Sequence, residues 1–194
     1  MKLEIIKYNV VSSTNDVAMD LINNKKKKSG CVYSKLQTKG RGTKGREWVS
    51  AIGNLFTSIF FPLKNDYPPF NEFSIINPVI VSDVIKKYCG NKNISFKWPN
   101  DVFVNGKKIC GILQEVITSG ENKFLIIGIG INLVTNPDLK KPYKATNIFL
   151  ETGNKPQIIE LINILVLSYE KFFNNFISYN FKNYKKKVDL MVLA

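Results

Sequence analysis

Two residues, Asn105 and Gly106, constrain this chain more than any other pair. They separate two apolar runs, Val102 to Val104 and Lys108 to Thr118. Asn-Gly in that setting marks a tight hairpin, because the two-residue turns that match strand twist need positive φ at both positions. Phe124 to Leu133 forms a further apolar run, so Ile109 to Leu133 reads as an antiparallel meander. Leu3 to Tyr8, Cys31 to Gln37, Asn54 to Leu63 and Ile94 to Trp98 read as additional strands. Glu72 to Tyr88 carries apolar residues at helical spacing and reads as a largely buried helix opening a second strand-helix unit. Pro156 to about Ser178 is another helix, with Pro156 near its first turn. Ser13-Thr14-Asn15-Asp16 has the form of a capping box, opening a helix through Asn24 that Lys25 to Gly30 ends. Tyr179 to Ala194 reads as a last short helix or tail. The expected fold class is α/β of the α+β kind: a mixed, mostly antiparallel sheet with helices packed largely on one face.

A chain of 194 residues suits one domain and needs no disulfide or metal staple to hold a core. Its three cysteines, Cys31, Cys89 and Cys110, form no CxxC pair, so neither a disulfide framework nor a four-cysteine zinc site follows. Histidine is absent altogether. That removes Ser-His-Asp and Cys-His catalysis, HExxH metal sites and every imidazole proton shuttle. Chemistry must then run on lysine, arginine, carboxylates, amides and backbone groups, which favours reactions that orient groups and stabilise charge. Phe124 to Val134 is the longest uncharged apolar stretch and falls well short of the ~20 residues a membrane span needs. Glu4 and Lys7 interrupt the place where a signal peptide needs its apolar region. The expectation is a soluble cytoplasmic protein with no membrane partner.

The net charge of +13 invites a nucleic-acid reading. The lysine excess is chain-wide, however, and Lys25 to Lys28 and Lys185 to Lys187 read as solvated runs. Arginine is distributed differently. Of 28 basic residues only Arg41 and Arg46 are arginines, and both fall in the seven-residue stretch GRGTKGR. Planar, permanently charged groups held in one glycine-rich loop suit the gripping of a carboxylate, phosphate or carbonyl.

Four stretches concentrate candidate chemistry, and each alone has an ordinary explanation. SSTN can be a helix cap, and QTKGRGTKGREW a flexible basic loop. KWPND can be a strand entering a Pro-Asn-Asp turn with Trp98 in the core. GIGIN can be a strand whose glycines allow close packing, and it lacks the GxGxxG spacing of a dinucleotide site. Taken in order, SSTN, QTKGRGTKGREW, KWPNDVFVNGKKICGIL and GIGIN resemble the catalytic domain of biotin-protein ligases, from about Leu3 to Phe176.

That resemblance implies the biotin/lipoate protein ligase fold over residues 1–178, followed by the helix or tail at 179–194. It also implies an enzyme that activates biotin as biotinyl-5′-AMP with ATP and Mg2+ and passes it to a lysine of a biotin carboxyl carrier domain of acetyl-CoA carboxylase type. By the same resemblance Ser13, Thr14, Asn15 and Gln37 match biotin contacts. Gly40, Arg41, Gly42 and Thr43 belong to the loop that folds over biotin and the adenylate. Lys108 matches the lysine at the biotin carboxylate and reacting phosphate, and Gly111 gives close backbone approach. Arg46, Trp48, Lys97, Asn100 and Asn132 match the ATP side. Lys108, Arg41, Lys97 and Asp101 are the implied catalytic set, with Asp101 also the implied Mg2+ ligand. Thr43 stands where many bacterial members carry a further arginine. No winged-helix DNA-binding domain precedes Leu3 and no C-terminal β-barrel domain follows Ala194, so specific DNA binding is not expected, and homodimerisation is left open. A lipoate or octanoate ligase of the same fold and a non-catalytic basic nucleic-acid-binding module are the alternatives.

Overall fold

The computed structural model describes residues 1–137 and 144–192; the last two residues of the expected tail lie outside the described residues. Among the described residues seven strands form one sheet: β1 (Ile5–Val11), β2 (Gly30–Gln37), β3 (Leu55–Pro62), β4 (Ile94–Lys97), β5 (Asp101–Val104), β6 (Lys107–Ser119) and β7 (Asn122–Ile131). The α-helices of the described residues are α1 (Thr14–Asn23), α2 (Phe73–Cys89), α3 (Ile148–Thr152), α4 (Ile158–Asn174) and α5 (Phe181–Asp189). The strand order is β1-β2-β3-β7-β6-β5-β4. Only β1 and β2 run parallel; every other neighbouring pair is antiparallel. The sheet is therefore mixed and mostly antiparallel, as expected. Asn105 and Gly106 have φ of 51° and 71°, the left-handed pair that a two-residue hairpin requires.

Side chains alternate across each strand, so the sheet has two different faces. On one face Leu125, Ile127, Ile129 and Ile131 of β7 join Leu55, Ile59 and Phe61 of β3 under α2, α3, α4 and α5. There α4 presents Leu161, Ile162, Leu165, Val166, Tyr169 and Phe172 at helical spacing, all buried. Phe61 packs against Phe173 at a centroid distance of 4.6 Å and against Phe73 at 5.5 Å. Each such aromatic pair adds ~0.5 to 1.5 kcal/mol beyond area burial. On the other face α1 stands alone, with Ala18, Leu21 and Ile22 buried against Val32, Phe60, Phe124 and Ile126.

Several local expectations need correction. The first strand runs Ile5–Val11, later than Leu3 to Tyr8, because its pairing with β2 starts at Ile5 opposite Cys31. Ser13 is the N-cap of α1 but makes no side-chain cap hydrogen bond, so the capping box does not form. Pro156 precedes the N-cap Gln157 of α4 and lies outside its first turn. The short α3 was not expected at all. Among the described residues no helix is long and apolar enough to cross a membrane.

Candidate active site

The α1 face of the sheet runs out of side chains at one end. Phe124 and Ile126 fill the space beneath Leu21 and Ile22, but the next two positions of β7 on that face are Gly128 and Gly130. Gly111 of β6 pairs with Gly130 and widens the gap. Two side chains enter it. The Asn15 carboxamide lies over Gly128, where a Cβ would come 2.5 Å from its Oδ1. The Trp48 indole lies over Gly111, where a Cβ would come 2.5 Å from the ring, and reaches Gly130 as well. The cleft lies between them, lined also by Phe56, Thr57 and Ile129 of the sheet.

The Gly128 end of the cleft is lined by the buried, uncharged polar side chains that open α1, with the Arg41–Glu115 ion pair behind them. Ser13, Thr14 and Asn15 are each no more than 3% exposed, although they open a surface helix. Ser58 Oγ donates to Asn15 Oδ1 and lies 2.7 Å from Thr14 Oγ1. Gln37 Oε1 accepts from the Thr14 backbone N–H at 2.8 Å, and Gln37 Nε2 donates to Ser50 Oγ at 3.1 Å. Buried polar groups are as a rule hydrogen-bonded, and Thr14, Asn15, Gln37 and Ser58 satisfy one another at the edge of the cavity.

The Gly130 end is charged. Lys108 Nζ stands 2.6 Å from Asp101 Oδ1 and 5.2 Å from the centroid of the Trp48 ring. A register shift against β5 leaves Ile109 as an extra residue after Lys108, and such bulges re-aim neighbouring side chains. The Lys108 backbone is held on its other edge: its N–H donates to Lys144 O and its C=O accepts from Thr146 N, both at 2.8 Å. An adjoining cleft shares Thr43, Arg46 and Asn100 with the first and adds Lys44, Lys97 and Asp101. Three cations therefore border one small space. Trp48 Nε1 is buried with no acceptor among the described residues, which costs ~1 to 3 kcal/mol unless another molecule supplies one.

The glycine-rich segment closes the cleft as a miniature hairpin. Trp48 N–H donates to Gly40 O at 2.9 Å and Gly42 N–H to Arg46 O at 2.7 Å. Gly40 is buried where a Cβ would meet Ser50 Oγ at 2.7 Å, so only glycine fits there. Arg46 turns back on its own loop, its Nη2 donating to Thr43 Oγ1 at 2.8 Å and its Nε to Thr43 O at 3.1 Å. Arg41 spans two carboxylates: Nη1 and Nη2 reach Glu115 at 2.7 and 2.9 Å, and Nη2 reaches Asp16 at 2.7 Å.

Of the residues singled out from sequence, Ser13, Thr14, Asn15, Gln37, Arg41, Gly42, Thr43, Arg46, Trp48, Asn100, Lys108 and Gly111 line the main cleft. Lys97 and Asp101 line the adjoining one, and Gly40 packs under the loop. Asn132 is placed elsewhere: it is buried, and its Nδ2 donates to Thr146 O at 3.0 Å. Trp98 is 57% exposed and belongs to no core. Gly128, Gly130, Asp16 and Glu115 were missed. The two glycines were legible, since spacing of two strips one face of a strand; the carboxylates carried no sequence signal. The three cysteine thiols are buried, and burial pushes Cys31 and Cys89 each up to about 11 and Cys110 higher still. None is a thiolate nucleophile near neutral pH.

No three carboxylate, cysteine or histidine side chains cluster as a metal site among the described residues. Asp101 is a lone carboxylate already paired with Lys108, a poor basis for a resident cation, since Mg2+ bound by few carboxylates relies on substrate phosphates for the rest of its shell.

The model of the biotin/lipoate A/B protein ligase family matches residues 8–132. The chain belongs to that family. Within it, the chain is 32% identical over 188 residues to the bifunctional ligase/repressor BirA of Bacillus subtilis, covering 93% of this chain and 57% of that protein. It is 30% identical over 159 residues to the biotin--[acetyl-CoA-carboxylase] ligase of Paracoccus denitrificans, covering 79% of this chain and 66% of the relative. The chain thus spans little more than half the length of the first of these ligases. Among solved structures, the biotin protein ligase of Leishmania major in complex with biotin superposes with a TM-score of 0.85 at 25% identity, over 98% of this chain and 81% of that one. The biotin protein ligase of Aquifex aeolicus in complex with biotin and ATP gives 0.80 at 28% identity, over 98% and 78%.

Proposed function

We propose that this chain activates biotin as biotinyl-5′-AMP at the expense of MgATP and transfers the biotinyl group to a carrier lysine of acetyl-CoA carboxylase type. The observation that carries the reading is the polarity gradient of one cleft. A neutral hydrogen-bonding end at Ser13, Thr14, Asn15 and Gln37 suits a ureido ring, and a cationic end at Lys108 opens into the space bordered by Lys44, Arg46 and Lys97. Relatives of this chain are solved with biotin, with biotinyl-5-AMP and with ATP.

In the first step the biotin carboxylate attacks the α-phosphorus of ATP, forming the acyl-phosphate bond and releasing pyrophosphate. The nucleophile is already an anion, so a chain without histidine loses nothing by lacking a general base. Charge on the phosphoryl oxygens meets Lys108, held by Asp101, and the cations Arg46 and Lys97 of the adjoining cleft, groups of the kind that stabilise such transition states. Trp48 offers its indole face and its unpaired Nε1 donor on the nucleotide side, with Asn100 beside it. Mg2+ arrives as part of the nucleotide. In the second step a carrier amine attacks the acyl carbon, the amide forms and AMP leaves; Asp101 is the carboxylate placed to take up or orient the amine proton. The hairpin from Gly40 to Trp48 keeps water from the mixed anhydride between steps. The carrier domain is the macromolecular partner in this reading, and the cytoplasm its compartment.

A lipoate or octanoate ligase would leave the amide and hydroxyl groups of the polar end facing an aliphatic chain, at the cost of unpaired buried polar groups. Incubation with labelled biotin, MgATP and an apo carrier domain tests the proposal: label appears on the carrier lysine. A lipoyl domain labelled from lipoate, with the biotin carrier unlabelled, would replace this reading by the alternative.

A further inference from the structure

Glu115 lies on β6 outside every motif read from the sequence, yet three hydrogen bonds converge on it. Arg41 Nη1 donates to Oε1 at 2.7 Å, Arg41 Nη2 to Oε2 at 2.9 Å, and Asn15 Nδ2 to the same Oε2 at 2.7 Å. Its carboxylate is only 22% exposed. The loop arginine is thereby tied to the side chain that lies over Gly128, across 100 residues of sequence between Asn15 and Glu115. Because Nδ2 of Asn15 is committed to Glu115, its Oδ1 must face Ser58 and the cleft. Asp16 adds a second hold on Arg41 from the neighbouring position of α1.

We propose that Glu115 is a positioning residue that couples closure of the Gly40 to Trp48 loop to the orientation of Asn15 at the polar end of the cleft. When Arg41 docks, Glu115 is fixed, and with it the amide that presents Oδ1 to the cavity. When Arg41 leaves, Glu115 loses two of its three donors and Asn15 is free to turn. The loop therefore reports on the ligand head through one carboxylate. The Arg41–Asp16 contact has both partners about two-fifths exposed, and exposed pairs contribute little. The more buried bidentate contact with Glu115 carries the coupling.

The inference rests on the biotin reading for its ligand but not for its loop. Two measurements on the full chain separate the two. In ligand-free protein, Glu115→Gln speeds proteolytic cleavage after Lys44 about tenfold with an unchanged unfolding temperature. In the liganded protein, Glu115→Gln and Arg41→Lys each speed dissociation of biotinyl-adenylate, and the double variant is no faster than the worse single one. Additive effects of the two substitutions, or a dissociation rate and a cleavage rate both unchanged in Glu115→Gln, would overturn the coupling. A protein that binds no biotin at all while showing faster cleavage in Glu115→Gln would overturn the biotin reading and leave the Arg41–Glu115 tie standing.

Discussion

Lys108 owes its position to three independent restraints: an ion pair with Asp101, the face of Trp48 and a backbone gripped by residues 144 and 146. A cation so fixed needs no reorganisation when negative charge develops beside it, which is where electrostatic catalysis gains most. Lys108→Ala should lower biotin-dependent pyrophosphate release by about a hundredfold or more, the scale of losing one such stabilising group, with the fold intact by circular dichroism. Release at the native rate would remove Lys108 from the chemistry. The glycines make a complementary prediction. A methyl at Gly128 collides with Asn15 and one at Gly130 with Trp48. Gly128→Ala should therefore raise the KM for biotin about tenfold, the effect of one displaced hydrogen bond of ~1.4 kcal/mol, and leave the KM for ATP nearly unchanged; Gly130→Ala should do the reverse. Equal effects of both variants on both substrates would show that the two ends of the cleft are not separate subsites.

At the scale of elements, the hairpin of β5 and β6 is tied down by α3. Glu151 of that helix accepts from Asn105 in the turn at 2.8 Å and from Thr146 at 2.7 Å, with Lys107 at 3.5 Å. Burial pushes the Glu151 carboxyl up, but those hydrogen bonds and the charge of Lys107 outweigh it, and the net shift is downward. A carboxyl lowered in the folded state adds stability that is fully present at neutral pH. That stability fades as pH falls below the ordinary value of 4.5 and through the lowered folded one. Glu151→Gln should therefore lose ~1 kcal/mol at pH 7 and show a flatter fall of unfolding free energy between neutral and acid pH. Parallel curves for the two proteins would exclude Glu151 as a source of acid sensitivity. The sequence did not announce α3, because five residues are too short to show a helical period. The Asn105-Gly106 turn that α3 secures was the clearest local signal in the chain, since few residue types meet its demand for positive φ. Ser13 misled for the opposite reason. Its residue type is what a cap needs, but the cleft beside it takes the side chain instead.

For the whole molecule, periodicity revealed the strands and the two long helices because each buries a continuous apolar stripe that repeats in sequence. Strand order did not follow from it: β3 lies beside β7, with α2 and three strands between them in sequence, and nothing local encodes that neighbour. The same divide runs through the site. Trp48 and the loop arginines were legible because their residue types are rare or concentrated here, and Lys108 only through the motif that follows KWPND, whereas Glu115 and Asp16 look like any surface carboxylates until the fold sets them against Arg41. The chain's positive charge also resolves at this scale. Lys27 pairs with Glu4, Lys185 with Asp189 and Lys187 with Asp83 on the surface, while the cations bordering the cleft are set by the fold around a small space.

The central claim is that this cleft joins a ureido-bearing carboxylate to the α-phosphate of a nucleotide. Exchange of labelled pyrophosphate into ATP measures that step alone, without a carrier. The account predicts exchange that requires biotin, is not supported by lipoate or octanoate at the same concentration, and is lost in Lys108→Ala. Exchange supported equally by octanoate, or none with biotin in a folded protein, would contradict it.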